Sequence, residues 1–351
     1  MAWPRSVSPL RAALLAVAAG VVLALAFVFA SGFFQGERRF ELAVSTDPIS
    51  LYVVENGKVE ERRSGVAPAW SPDGERLAYK GDHDGKIWVD DRAFALGVGI
   101  GGELQWTPRG RSLLFEGNGI RLLDVRTGVD RLVAAGTLPA LSPDGRTVAY
   151  LRYTRKKPTT QPVASTLEVV PLAGGKPRIV ARTRGPELGP HFESRPQWLP
   201  DGTGVAIARR VAEQGPWAIE LVRFDGSRRV LAPRTSPDFA LSPNGRLLVY
   251  LRGDTLVVAG QRGREQVHPL RRLLPERYLA VVEYDGFSWS PDGREVAFSI
   301  GGADLASPTS DLLLRVYALD VTSGKIRRLA QIPRAAGARL AWNPHPQPAA
   351  H

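Results

Sequence analysis

One short turn phrase returns along nearly the whole chain, and no other feature restricts its fold as strongly. Ala69-Trp70-Ser71-Pro72-Asp73-Gly74-Glu75-Arg76-Leu77-Ala78-Tyr79 holds the phrase most fully. Close copies are Leu141-Ser142-Pro143-Asp144-Gly145, followed by Val148, Ala149 and Tyr150, and Trp289-Ser290-Pro291-Asp292-Gly293, followed by Val296, Ala297 and Phe298. Looser copies are Trp106-Thr107-Pro108-Arg109-Gly110, Trp198-Leu199-Pro200-Asp201-Gly202, Leu241-Ser242-Pro243-Asn244-Gly245 and a truncated Trp342-Asn343-Pro344, which makes seven.

The phrase reads as a turn between strands. Pro presets φ for the second position of a type I turn, Asp or Asn suits the third, and Gly takes the left-handed position that follows. A short strand ending in Trp or Leu precedes it, and an alternating apolar strand such as Leu77, Tyr79 or Val148, Tyr150 follows, so the period is that of strands. Return of one phrase at about 35 to 57 residues points to a propeller or solenoid rather than to separate domains.

The units parse as four strands, A to D from the channel outward. In the second, A ends at Trp70, B is Arg76 to Lys80, C is Lys86 to Val89 and D is Arg92 to Leu96. The third has Leu113 to Glu116, Ile120 to Val125 and Arg131 to Ala134 as B to D. The segment from Phe40 supplies three strands, Phe40 to Val44, Ser50 to Val54 and Val59 to Arg63, with no turn phrase ahead of them; Ala338 to Asn343 reads as their missing first strand. Pairing the two ends closes the ring and removes its open edges. The expected fold is an all-β, seven-bladed propeller. Six blades are the alternative, because the unit around Pro108 departs most from the pattern.

The repeated Trp-Ser-Pro-Asp-Gly phrase, followed by an apolar-Ala-aromatic strand, resembles the TolB-type, WD-like propeller repeat over about residues 40 to 344. The resemblance implies the fold. It leaves function open, because the repeat occurs in periplasmic translocation proteins, in gating domains of prolyl-oligopeptidase-like peptidases and in other envelope proteins. Residues 1–39 are expected to hold an anchor rather than the small α/β domain that precedes the propeller in members of that family, so the family's partner contacts are not carried over.

Ahead of the propeller, Ala12 to Phe34 is a run of 23 residues without a charge, about 34 Å as a helix and long enough to cross a bilayer. A cleaved secretory signal competes, because Val28-Phe29-Ala30 has small residues at a cleavage spacing. The run continues past that site through Phe33 and Phe34, which favours a retained anchor. Arg5 and Arg11 before the run, against Glu37, Arg38 and Arg39 after it, orient the amino terminus inward. The organisation expected is residues 1–11 cytoplasmic, 12–34 transmembrane, 35–39 linker, 40–344 propeller and 345–351 tail, with the body on the extracytoplasmic, periplasmic side. A cleaved and secreted form is the alternative.

Net charge is +11, of which Arg5 and Arg11 carry two, leaving +9 on the rest. A basic surface favours anionic partners. Nucleic acid is not expected, since no recognition-helix or aromatic RNA-binding pattern accompanies the charge. There is no cysteine, which excludes disulfides, thiolate metal sites, a Cys nucleophile and a lipoprotein anchor.

Strand polarity predicts where binding belongs. The A-to-B and C-to-D connections share one face and are short; the B-to-C and D-to-A connections share the other. On that second face lie the insertions Tyr153 to Ser165, Arg182 to Arg195, Pro275 to Gly286 and Gly301 to Ser310. Variable loops on a rigid scaffold are where binding usually lives. The candidate partner-binding residues are Arg152, Arg155, Lys156 and Lys157, then Arg184, Glu187, His191, Glu193 and Arg195, then Tyr278, Glu283, Tyr284 and Asp285. Ordinary solvated loops would look the same.

The repeated Trp residues read as blade-packing core rather than a ligand cage. Gly81-Asp82-His83-Asp84-Gly85 reads as a B-to-C turn, too short to supply the oxygens calcium needs. No Gly-x-Ser-x-Gly elbow or His-Glu-x-x-His pair is present. The chain is therefore expected to be no enzyme, to need no cofactor, and to bind a protein or peptide in the cell envelope. The alternatives are a binder of anionic envelope polymer or glycan, and a hydrolase with a metal in the channel mouth.

Overall fold

In the computed structural model each complete copy of the turn phrase joins two antiparallel strands. Residues 41–345 are described, other than 48, 56, 100, 156–161, 185–193, 211–215, 261–262, 274–277, 282–285, 305–311 and 336. All of them belong to one unit, Phe40–His351. The expected transmembrane run lies outside the described residues, among which no helix is long and apolar enough to cross a membrane.

Seven antiparallel sheets follow in order. Blade 1 has β1 (Leu42–Thr46), β2 (Ser50–Glu55) and β3 (Lys58–Arg63). Blade 2 is β4 (Gly65–Trp70), β5 (Leu77–Gly81), β6 (Lys86–Val89) and β7 (Arg92–Ala95). Blade 3 is β8 (Leu104–Trp106), β9 (Ser112–Gly117), β10 (Gly119–Asp124) and β11 (Asp130–Ala134). Blade 4 is β12 (Thr137–Leu141), β13 (Thr147–Arg155), β14 (Pro162–Pro171) and β15 (Arg178–Arg184). Blade 5 is β16 (Gln197–Trp198), β17 (Gly204–Arg210), β18 (Trp217–Arg223) and β19 (Arg228–Thr235). Blade 6 is β20 (Phe239–Leu241), β21 (Leu247–Arg252), β22 (Thr255–Gly260) and β23 (Glu265–Pro269). Blade 7 is β24 (Tyr278–Val281), β25 (Ser288–Trp289), β26 (Glu295–Asp304), β27 (Leu312–Asp320) and β28 (Ile326–Pro333). The last strand, β29 (Ala338–Trp342), returns to blade 1. It pairs with β1 from Leu42 opposite Trp342 to Thr46 opposite Ala338, so the two ends of the ring close it. The ring has seven blades, and the unit around Pro108 is a complete one.

Turn chemistry follows the phrase. Ser142 Oγ donates to Asp144 Oδ1 at 2.6 Å and accepts from Thr147 N at 2.9 Å, while Gly145 N donates back to Ser142 O at 2.8 Å. Gly145 takes φ +70, where a side chain is strained. The serine hydroxyl is the main reason that the Asp73, Asp144 and Asp292 carboxyls sit below the usual range. Successive turns also nest, since a Cβ on Gly145 would come within 2.6 Å of the Pro108 ring of the preceding blade.

Two rings of contacts hold blade to blade. At the inner ring, the indole N–H donates to a strand-A carbonyl of the preceding blade: Trp70 to Ala341 O at 3.1 Å, Trp106 to Ala69 O at 3.0 Å, Trp198 to Ala140 O at 2.9 Å and Trp289 to Ala240 O at 3.3 Å. Blades 4 and 6 have Leu141 and Leu241 instead, and there the preceding blade reaches forward. Gln105 Oε1 accepts from Leu141 N and Gln197 Oε1 from Leu241 N, each at 2.8 Å. Ser288 Oγ accepts from Trp342 N at 2.9 Å at the last junction. These tryptophans thus pack the blades as expected, and they also face the channel. Gln197 further donates to Phe239 O at 2.6 Å. Gln197→Leu strands two backbone groups and should lower stability by about 2 kcal/mol, read from the urea midpoint. Leu241→Trp in the same chain restores part of the loss if the two junction types are interchangeable.

At the outer ring, strand D clips onto the next blade. Arg63 pairs with Asp91 at 2.6 Å, Arg92 donates to Val125 O at 2.8 Å, Arg131 to Leu172 O at 2.5 Å, and Gln266 to Val321 O at 2.9 Å. Arg178 lies over the Phe224 ring at 5.6 Å, and Arg327 bridges Glu295 and Glu41 at 2.9 and 2.8 Å. The seven outer strands hold 13 basic and four acidic residues. Most of the basic excess is therefore on sheet edges, where charge also blocks edge-to-edge pairing.

Candidate functional site

The innermost strands line a central channel of about 670 Å³, within the usual range of ligand sites. Its wall comes from every blade. Trp70, Trp106, Trp198, Trp289 and Trp342 supply indole surface, and the Gln105 and Gln197 side chains already used at the junctions supply polar surface.

One register position decides the chemistry of the mouth on the face of the D-to-A connections. Three residues before the Trp or Leu that ends strand A stand Arg339, Ala67, Glu103, Leu138, Arg195, Asp238 and Gly286, in blades 1 to 7. Six of these seven line the channel. Two are cations and two are acids, so the mouth is polar and balanced. Arg195 of blade 5 pairs with Glu103 of blade 3, across the intervening blade. Arg339 Nη1 donates to Gly102 O at 3.3 Å. Ala67 and Leu138 hold left-handed backbone at φ 55 and 51, each within a strand-A bulge. Strained residues of this kind gather at functional sites.

Lys80 lies beside this mouth. It is 0% exposed and donates from Nζ to the carbonyls of Gly101 and Glu116. Burial pushes its ammonium down from 10.5 to about 8, against the opposing pull of Glu116. Because the folded value lies below the unfolded one, the unfolded chain binds more protons between them, and stability rises with pH across that window. Relative to Lys80→Met, the wild type should gain roughly 3 kcal/mol between pH 7 and pH 10.5. A difference that stays flat in urea titrations would remove the buried-ammonium account.

The loop-face residues expected from sequence divide three ways. Arg195 lies on the channel, joined to Glu103. Arg152 and Arg155 are in β13, Arg184 ends β15 and Tyr278 opens β24, so these belong to strands rather than loops. Lys156, Lys157, Glu187, His191, Glu193, Glu283, Tyr284 and Asp285 lie outside the described residues. The insertions are shorter than expected because strands run into them: Tyr153 pairs with Ser165 and Arg155 with Pro162, while Tyr278 to Val281 pair with Gly301 to Asp304. The alternating polar and apolar residues there continue the ladders of their blades. Glu103, Asp238, Arg339 and Lys80 were not expected. Their signal was the constant spacing of the first three from the Trp or Leu of strand A.

Among the described residues no three His, Asp or Glu side chains are grouped to hold a metal. The Gly81 to Gly85 segment connects β5 to β6, as expected of a turn.

No protein-family model matches the chain, and no curated protein sequence does. Solved structures do. TolB from Acinetobacter baumannii aligns over 93% of this chain and 72% of its own, at 17% identity and a TM-score of 0.51. A putative TolB from Agrobacterium tumefaciens aligns over 88% and 99%, at 18% identity and 0.46. An acylaminoacyl peptidase from Pyrococcus horikoshii aligns over 83% of this chain but 44% of its own, at 14% identity and 0.44. At these identities the likeness speaks to fold alone: the solved neighbours include TolB-like β-propellers, and the architecture is that of a seven-bladed propeller.

Proposed function

We propose that this chain is a membrane-anchored, extracytoplasmic scaffold that binds a protein or peptide at the mouth of its channel, in assembly or upkeep of the cell envelope, and that it acts by binding rather than catalysis. The observation that carries this reading is the mouth itself. Two arginines, two acids and five indoles around about 670 Å³ suit a polypeptide with mixed side chains better than a uniform polyanion. Little ordering is needed on binding, because the junction bonds already hold the strand-A side chains. The uncharged run from Ala12 to Phe34 supports the anchor, and the extracytoplasmic side follows from the charges flanking it.

Photo-cross-linking in native membranes tests the reading. A photoreactive residue at His191, in the connection between β15 and β16, should give one discrete protein adduct, and one at Thr127, in the tight turn between β10 and β11, should give none. Diffuse products from both positions would sink the loop-face assignment.

A second reading is an anionic polymer bound along the rim, favoured by the basic excess of the outer strands. That mode should weaken steeply with salt, whereas a channel-bound peptide should survive moderate ionic strength.

A further inference from the structure

Three consecutive blades place an arginine at the same point of strand B, four residues beyond the residue paired with the Trp or Leu of strand A: Arg152, Arg209 and Arg252. In blade 5, Arg209 meets Glu220 at 3.2 Å. In blade 6, Arg252 holds Glu265 through two bonds of 2.9 and 3.1 Å. Blade 4 also has an acid, Glu168, in the register of Glu220. However, Glu168 is buried, with one oxygen taken by Tyr150 OH at 2.6 Å and the other by Thr166 Oγ1 at 2.7 Å. Arg152 is left exposed with no ion pair among the described residues. Across the sheet from it, beyond Thr166, stands Arg182, also exposed and also unpaired among them.

This row faces blade 3, because Tyr150 on the same side packs with Leu114 and Ile120 of that blade. Blade 3 is too short to cover it. Its strand B ends at Gly117, the counterpart of Arg152, whereas β13 runs on to Arg155. Ile179 lies on the same side of blade 4, in line with Tyr150 and Glu168, and is 40% exposed.

Blade 7 shows how such a face is filled. It too stands beside a blade with a short B-to-C turn. The counterparts of Thr166 and Glu168 are Arg315 and Tyr317, and both donate to Leu273 O, at 3.0 and 2.7 Å. Leu273 belongs to the 3-10 turn Leu270–Leu273 in the connection from blade 6, and Leu270 is buried there with Tyr317 in one cluster. The chain thus folds its own segment against blade 7. Between blades 3 and 4 the connection is only Ala135 and Gly136, with nothing to fold back.

The geometry points to a docking site on the blade-3 side of blade 4, at Arg152, Thr166, Ile179 and Arg182, for an acidic segment of a protein partner. Its carboxylates meet the two guanidiniums that lack one within their own blade, and an aliphatic side chain covers Ile179. A peptide fits better than a polymer of sugars or phosphates, because the site includes exposed aliphatic surface and because blade 7 takes polypeptide at the same place. The site extends the protein-binding reading to a second surface and stands whether or not the channel takes a ligand.

Fluorescence anisotropy with the full chain and a labelled peptide of alternating Glu and Leu tests it. Arg152→Gln with Arg182→Gln should weaken binding about tenfold, as expected when two charge-assisted contacts are lost. Ile179→Ser should weaken it about threefold. Arg62→Gln, which removes a basic residue from the rim of blade 1, should leave it unchanged. A peptide of alternating Gln and Leu should not bind. Arg152→Glu with Arg182→Glu should instead prefer a third peptide, of alternating Lys and Leu, a reversal that a misfolded variant would not show. Equal affinity in the wild type and the Arg152→Gln, Arg182→Gln chain overturns the site. So does equal binding of dextran sulfate or anionic vesicles with no effect of Ile179→Ser, which would leave a plain cationic surface. These outcomes are separate from the adducts at His191, so the two proposals fail independently.

Discussion

Val44→Asp should prevent the ring from closing. Val44 is 0% exposed and stands in the middle of β1, between Leu340 of β29 and Tyr52 of β2. Its cluster draws on β1, β2, β26, β27, β28 and β29, so the core it belongs to joins both ends of the propeller to blade 7. A carboxylate there has no partner, and a buried, unpaired charge is among the few changes that exceed about 4 kcal/mol. Against a total stability on the order of 5–15 kcal/mol, most of the folded population should be lost. Val44→Ala removes only packing and should cost about 2 kcal/mol while leaving the chain folded. Near-UV circular dichroism and urea titration of both variants provide the check. An aspartate variant that keeps the wild-type midpoint would mean that the closure contributes little.

The second large effect is expected at Gly136, where an added methyl group should cost about 3 kcal/mol. A Cβ at this position would lie 2.7 Å from Tyr150 Cε2 and 2.9 Å from Leu151 O. Neither neighbour can retreat easily. Tyr150 is buried, its hydroxyl donates to Glu168, and Leu151 O belongs to the blade ladder. Gly65 makes the same contact with Tyr79, where a Cβ would be 3.0 Å from Lys80 O. Gly65→Ala and Gly136→Ala should therefore lose stability together. Gly99→Ala, which meets open space, should change it by less than about 0.5 kcal/mol. Equal midpoints for all three in guanidinium would show that the ring of Tyr150 can move aside.

These two sites also mark how far the sequence could be read. Blade number and closure were legible because they depend on local rules. A Ser-Pro-Asp-Gly turn satisfies its own backbone, and period-two strands beside it must pair, so Ala338 to Trp342 had to serve the three strands that begin near Leu42. The loop-face residues were only partly legible. Arg152 and Arg155 were placed on the correct connection but continue β13, because nothing local tells a strand to stop while its ladder partner is still present.

The amino-acid sequence by itself determined the repeat, the turn geometry, the all-β class and the face on which long connections fall, since each follows from interactions within a few residues. Only the tertiary structure decided which charges are neutralised. Glu168 and Glu220 occupy one register position, yet Glu168 is held by Tyr150 and Thr166 while Glu220 meets Arg209. The same holds for Glu103 and Arg195, which join past the intervening blade from blades that are not neighbours. A carboxylate's partner depends on what else comes within a few ångströms once the blades are stacked, and that distance is not a property of any local stretch.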